Sequence, residues 1–262
     1  MEPQSQIVPT PPPAVPLTPT PNRQLIAPVW HTIVLLLLFL GNSYFSATSM
    51  PTAREGPPPE RILILQYGVT IGFEFFLLLL VWVGLRLKGV KLRELIGGRW
   101  QAVEDFLLDF VIALGFVVAA LVMLAGVSSL LGMRNASQVS EVKRLANMLG
   151  PQSGVSMAMF VLVSCTAGLV EEILFRGYLQ RQISALSGNI YVGLIGSAIL
   201  FGLGHGYEGA RRMVLIAVLG AMFGLLTLLR KSLRPGMMAH ALFDSLQGVL
   251  LWLVRKGAIP LG

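Results

Sequence analysis

Apolar and polar positions alternate in long blocks rather than at helical or strand periods. The apolar blocks run at about 28–48, 62–85, 106–131, 155–182, 190–203, 213–229 and 235–254. A helix that crosses a bilayer needs about 20 predominantly apolar residues. The blocks therefore predict an all-α, polytopic membrane helical bundle of about seven transmembrane helices. The fifth block is short and glycine-rich. No internal repeat is visible.

Three connections carry patterns of their own. Residues 1–24 are dense in proline (Pro3, Pro9, Pro11 to Pro13, Pro16, Pro19, Pro21) and read as a disordered tail, because such a segment cannot build a core. The tail is long, polar and nearly uncharged, which does not fit a signal peptide. Between Arg86 and Glu104, Leu92, Leu95, Ile96 and Trp100 recur among Lys and Arg, which predicts a short amphipathic helix on the membrane surface. Arg134 to Gly154 reads as a polar loop and contains the sequon Asn135-Ala136-Ser137. The expected units are thus the tail at 1–24, N-terminal transmembrane helices at 25–150 with the basic surface helix near 86–104, and a core at 151–256.

Composition supports the membrane reading. Hydrophobic residues make up 54% of the chain and charged residues 13%, about half the charged share of soluble proteins. The net charge of +7 is no sign of nucleic acid, since the basic residues sit in short loops beside lipid headgroups. The basic 86–104 connection places the N-terminus in the cytoplasm. Cys165 is the single cysteine. It excludes an internal disulfide and a cysteine metal site, and reads as a buried packing thiol. Gly68 and Gly72, like Gly220 and Gly224, are spaced for close helix approach.

Charge inside the apolar blocks is where chemistry is expected, because polar groups there are costly. Glu171, Glu172 and Arg176 fall within the fourth span, His205 closes the fifth, and His240 and Asp244 lie in the seventh. Residues four apart share a helix face, so Glu172 can pair with Arg176, and His240 with Asp244. Glu171 is rotated away from Arg176 and is freer to react. Gathering Glu171, His205, His240 and Asp244 in one polar intramembrane cavity removes the cost for all of them. Glu74, near mid-depth in the second span, is expected to pair with another helix or line a cavity. Asp109 opens the third span. His31 reads as interfacial. Tyr207 and Glu208, in a glycine-flanked turn, are candidates for the cavity mouth.

Two chemistries fit this set. A carboxylate and a histidine can activate water as a general base while a second histidine stabilises an oxyanion, which is acyl-bond hydrolysis. Alternatively, Glu171, His205 and His240 can hold a zinc ion with an open position. A proton-coupled transporter with Glu74, Asp109 and Glu171 as relay groups is a rival from another class. So is a non-catalytic immunity or scaffold protein.

Glu-Glu-x-x-x-Arg (Glu171, Glu172, Arg176), Phe-x-x-x-His (Phe201, His205) and His-x-x-x-Asp (His240, Asp244) occur in that order on consecutive membrane helices. This set resembles the CPBP family of intramembrane proteases, also called the CAAX-processing and bacteriocin-immunity (Abi) family, which includes the type II CAAX prenyl endopeptidases. The resemblance covers about 155–254. It implies a conical cavity and a glutamic mechanism with no metal cofactor. Glu171 and His205 would activate the water, His240 and Asp244 would hold the oxyanion, and Glu172 with Arg176 would order the site. The eukaryotic pattern has Asn where Asp244 stands. An ionised Asp cannot donate to an oxyanion, so Asp244 is either protonated or acts by orienting His240. The implied partners are a peptide or membrane-protein substrate and the lipid bilayer of a prokaryotic inner membrane.

Overall fold

The computed structural model describes residues 24–49, 56–132 and 136–259; the proline-rich tail up to residue 23, Pro51 and Asn135 lie outside them. The regular structure of the described residues is all helical, with no strand among them. The helices are α1 (Val29–Ser49), α2 (Glu60–Arg86), α3 (Leu92–Ile96), α4 (Val103–Leu130), α5 (Ala136–Leu149), α6 (Gly154–Glu171), α7 (Gln180–Ser187), α8 (Ile190–Gly204), α9 (Ala210–Arg230) and α10 (Arg234–Arg255). A π-helical segment, Glu172–Leu179, joins α6 to α7 without a break in the rod.

Among the described residues six rods are long and apolar enough to cross a membrane: α1, α2, α4, the composite Gly154–Ser187, α9 and α10. Their outward faces carry exposed Leu37, Val69, Val111, Val118 and Val122. Apolar surface of that extent is stable against lipid and not against water. The chain is a multi-pass integral membrane protein. The fifth apolar block, α8, has 15 residues, about 22 Å at the α-helical rise, against a hydrocarbon core of about 30 Å.

The composite rod is the axis of the bundle. Ser153 caps α6 by accepting from the backbone N–H of Val155 and Ser156. The same hydroxyl donates to Glu60, and Gln152 donates to the Pro58 carbonyl over 2.7 Å, so α2 and α6 start side by side. At the far end Gly188 (φ +70°) terminates α7 in the left-handed conformation, and the Asn189 side chain caps α8. Two cores result. Leu77, Val81, Leu85, Ile173, Leu174, Phe175, Tyr178 and Phe201 pack around the π-helical segment. Ala113, Ala120, Leu219, Phe223, Ala239 and Phe243 fill the space between α4, α9 and α10.

Several local expectations are corrected. The loop expected at 134–154 contains α5, an amphipathic helix whose Leu145 and Ala146 are buried; Val139, Val142, Leu145 and Leu149 have helical spacing hidden among charged neighbours. Conversely, the surface helix near 86–104 is only five residues long, because Gly97 (φ +91°) ends it, and Leu95 is buried under it. His31 stands in the first turn of α1. It is buried, with Nδ1 3.1 Å from the Tyr178 hydroxyl, in a network with Thr32 and Gln182. Cys165 is exposed on the outer face of α6 rather than buried.

The expected glycine contacts divide. Gly68 and Gly72 face open space, whereas a Cβ on Gly220 would lie 3.2 Å from the Ala198 backbone, and one on Gly224 2.7 Å from Gln180. One close backbone approach that bears on the site is at Gly168. A Cβ there would meet the Met237 carbonyl and the Ala241 nitrogen, each at 2.8 Å. Backbone cannot step aside, so Gly168→Val is expected to force α6 from α10. The expected cost is about 1–3 kcal/mol, read as a lower Tm in detergent, with peptide cleavage reduced as well.

Candidate active site

The Glu171-to-Arg176 stretch crosses from α6 into the π-helical segment, whose residues Glu172 to Leu179 are all buried. A π-helical turn is wider than an α turn and is frequent at functional sites. The apolar run itself predicts a continuous α-helix. The wider turn is supported by partners from other helices: Ser197 of α8 donates to the Phe175 carbonyl at 2.7 Å, and Gly177 lets Leu233 and Leu95 come close.

Arg176 and Glu172 pair at 2.9 Å, and both side chains are buried. Arg176 also donates to the Gly220 carbonyl at 3.0 Å. Its guanidinium lies 4.3 Å from the Phe201 ring centroid, 5.0 Å from Phe223 and 5.8 Å from Phe175. Three ring faces and two oxygen acceptors replace the water that the cation gave up.

Glu172 holds His240 in turn. Its Oε1 lies 3.1 Å from His240 Nδ1, and a carboxylate oxygen accepts there, so Nδ1 is the donor. The imidazole stacks on Phe223 with centroids 5.1 Å apart and meets the edge of Phe201. The other nitrogen, Nε2, points at two carboxylates, Asp244 at 3.5 Å and Glu171 at 3.7 Å. Gly236 makes room for the Glu172 carboxyl, since a Cβ there would stand 3.2 Å from Oε2. Asp244 is the more open of these side chains, about one-third exposed.

His205 approaches from α8. Its Nδ1 is 2.9 Å from the Phe201 carbonyl. A carbonyl only accepts, so Nδ1 carries the proton and Nε2 remains a base. The rings of Phe201 and Tyr207 flank His205 at 5.0 and 6.0 Å, and Phe201 separates it from His240. The turn Gly206–Glu208 is a single 3-10 turn, tied to α5 by Arg144, which donates to the carbonyls of Tyr207 and Glu208. Enclosure, and then the neighbouring Glu208, hold the Tyr207 phenol well above its ordinary pKa. It is a neutral donor within electrostatic range of Glu171 and Asp244.

Five of the six expected site residues therefore form one contact network: Glu171, Glu172, Arg176, His240 and Asp244. His205 stands beside it, across Phe201. Among the described residues no group of three or more His, Cys, Asp or Glu is arranged to hold a metal ion. Asp109 belongs elsewhere. It accepts from the Trp100 indole at 2.9 Å and pairs with Arg230 and Arg234, joining α4 to α9 and α10. The aromatic cage of Phe201 and Phe223 was not expected. Its sequence signal is weak, because phenylalanine is ordinary in an apolar span.

No curated protein and no solved structure matches the chain. The segment that carries the site does match one family model, over residues 153–246. Its motif side chains are drawn together inside a helical membrane bundle, and over these residues the chain is similar to the type II CAAX prenyl endopeptidase Rce1-like family, a family of proteases.

Proposed function

We propose that the protein is an intramembrane endopeptidase that hydrolyses a peptide bond with a water activated by Glu171 and His205. The observation that supports this reading most directly is the setting of His240. One nitrogen is anchored by Glu172, and the other is turned to the space shared by Glu171 and Asp244. The water loses a proton to Glu171, assisted by His205 Nε2, and its oxygen attacks the peptide carbonyl. The tetrahedral oxyanion accepts a hydrogen bond from His240. In its imidazolium form His240 donates from both nitrogens, Nδ1 to Glu172 and Nε2 toward the oxyanion. Asp244, 3.5 Å from Nε2, then serves by orienting the ring and need not donate. Collapse of the intermediate returns the proton to the leaving amine. Substrates are peptides or membrane-protein segments that reach the site from the bilayer, and a prokaryotic inner membrane is the proposed setting.

The test uses purified protein in lipid nanodiscs with internally quenched peptides, prenylated and unprenylated. His240→Ala is expected to lower kcat by about 10²–10³-fold, the usual effect of losing one oxyanion donor. Cleavage by wild type is expected to persist in chelator. Loss of activity in chelator and its return with zinc would replace this mechanism by a metal-assisted one.

A further inference from the structure

The helix that carries His205 ends at His205. The residue is the C-cap of α8, with φ −101° and ψ 27°, and a cap is only half held by its helix. The place of the imidazole therefore depends on the residues that follow, Gly206–Glu208. These form a single 3-10 turn, whose hydrogen bonds are poorer than those of an α-helix. The Arg212–Glu208 pair, at 2.9 Å, is local and ties the turn only to the start of α9. The turn is braced from two other helices.

From α1, the Ser43 hydroxyl donates to the Leu203 carbonyl at 2.7 Å, and the Phe39 ring fills the space where a Cβ on Gly204 would stand. From α5, Arg144 donates through one nitrogen, Nη2, to two carbonyls, Glu208 at 3.0 Å and Tyr207 at 3.3 Å. Its Nη1 reaches only the Met148 sulfur, at 4.0 Å. Basic residues of an amphipathic surface helix ordinarily face headgroups and water. Lys143 does so and is exposed, whereas Arg144 is half-buried against the turn.

The helix behind this brace is itself fixed. The last carbonyls of a helix have no partner within it, and here other helices supply one. Tyr67 of α2 donates to the Leu149 carbonyl at 2.6 Å, and Arg255 of α10 donates to the Gly150 carbonyl at 3.0 Å. Leu145, next to Arg144, is buried. Arg144 thus reaches the turn from a helix anchored to two membrane rods, and it lies outside residues 153–246.

We infer that Arg144 is a positioning residue for the hydrolysis. By clamping the Tyr207 and Glu208 carbonyls it fixes the turn behind His205, and with it the place of the imidazole Nε2. It touches neither the water nor the substrate. This rests on the reading of His205 as a base.

The test compares Arg144→Met and Arg144→Lys in nanodiscs. Methionine keeps the apolar stem and loses every donor. It is expected to lower kcat by about ten- to a hundredfold with KM unchanged, the range for a reacting group displaced by up to about 1 Å. Lysine keeps three donors on a shorter stem and is expected to recover part of that loss. A second readout needs no activity. The chain has three histidines, His31, His205 and His240, so ring 15N spectra of histidine-labelled protein, assigned by removing each in turn, follow them singly. Arg144→Met is expected to shift or broaden the His205 signals alone. A merely structural role of α5 would move all three or none. Wild-type kcat in Arg144→Met, unmoved His205 signals, or three histidines moving together would overturn the inference. If Arg144→Met does not fold, Arg144→Lys is judged by the same signals, with a smaller change confined to His205. If wild type cleaves no peptide, the assignment of His205 as a base fails on its own, while the spectra still decide whether Arg144 holds its ring.

Discussion

Glu171→Ala is expected to lower kcat for peptide cleavage by about 10²–10⁴-fold, the range for a lost general base, while the protein stays folded. Both halves of that expectation follow from its surroundings. Glu171 is the carboxylate of its stretch that is not bound to Arg176, and its side chain keeps 14% exposure. Removing it leaves the Arg176–Glu172–His240 chain in place. Alanine is also the best residue for a helix interior. Thermal unfolding and elution volume are therefore expected to match wild type. Cleavage that survives Glu171→Ala would end the glutamic mechanism.

Arg176→Ala is expected to do the reverse, damaging stability first and activity as a consequence. The substitution leaves Glu172 as a buried carboxylate without its cation and the Gly220 carbonyl without its donor. Breaking a buried pair from one side costs about 3–5 kcal/mol. For a chain of this size each kcal/mol moves Tm by about 2–4 °C, so Tm is expected to fall by roughly 6–20 °C. Lysine would not rescue it, since a point charge cannot serve a carboxylate and a carbonyl on a planar fork between three rings. The double variant Glu172→Leu/Arg176→Met is expected to recover much of the lost stability and none of the activity. Removing both charges ends the desolvation problem, yet it also deprives His240 of its anchor. If the double variant is no more stable than Arg176→Ala, the pair is not the source of the loss.

The site was legible as a residue list because lipid penalises unpaired polar groups. Glu171, Glu172, Arg176, His205, His240 and Asp244 stand out in apolar runs, and a membrane chain retains few such groups without a use. The same logic flagged Glu74, yet left its partner open, since a carboxyl at mid-depth can face any neighbouring helix. Errors arose where one residue's direction had to be known. His31 looks like an interfacial histidine, and only the fold brings the Tyr178 hydroxyl to it. Gly68 and Gly72 have the same spacing as Gly220 and Gly224, but no helix comes to their face. Within α5, charged neighbours masked a helical stripe.

Block length and hydropathy alone determine that the chain is a helical membrane bundle, because backbone groups in lipid must bond within their own segment. The order of the charged motifs alone determines which side chains are candidates. Tertiary structure decides the rest. The π-helical turn at Glu172–Leu179 depends on partners such as Ser197 that lie on another helix. The joining of Glu172 to His240 depends on the backbone approach that Gly168 permits. Each is a contact between residues far apart in the chain. Local pattern carries no information about such contacts, because packing and not periodicity sets the rotation of one helix against the next.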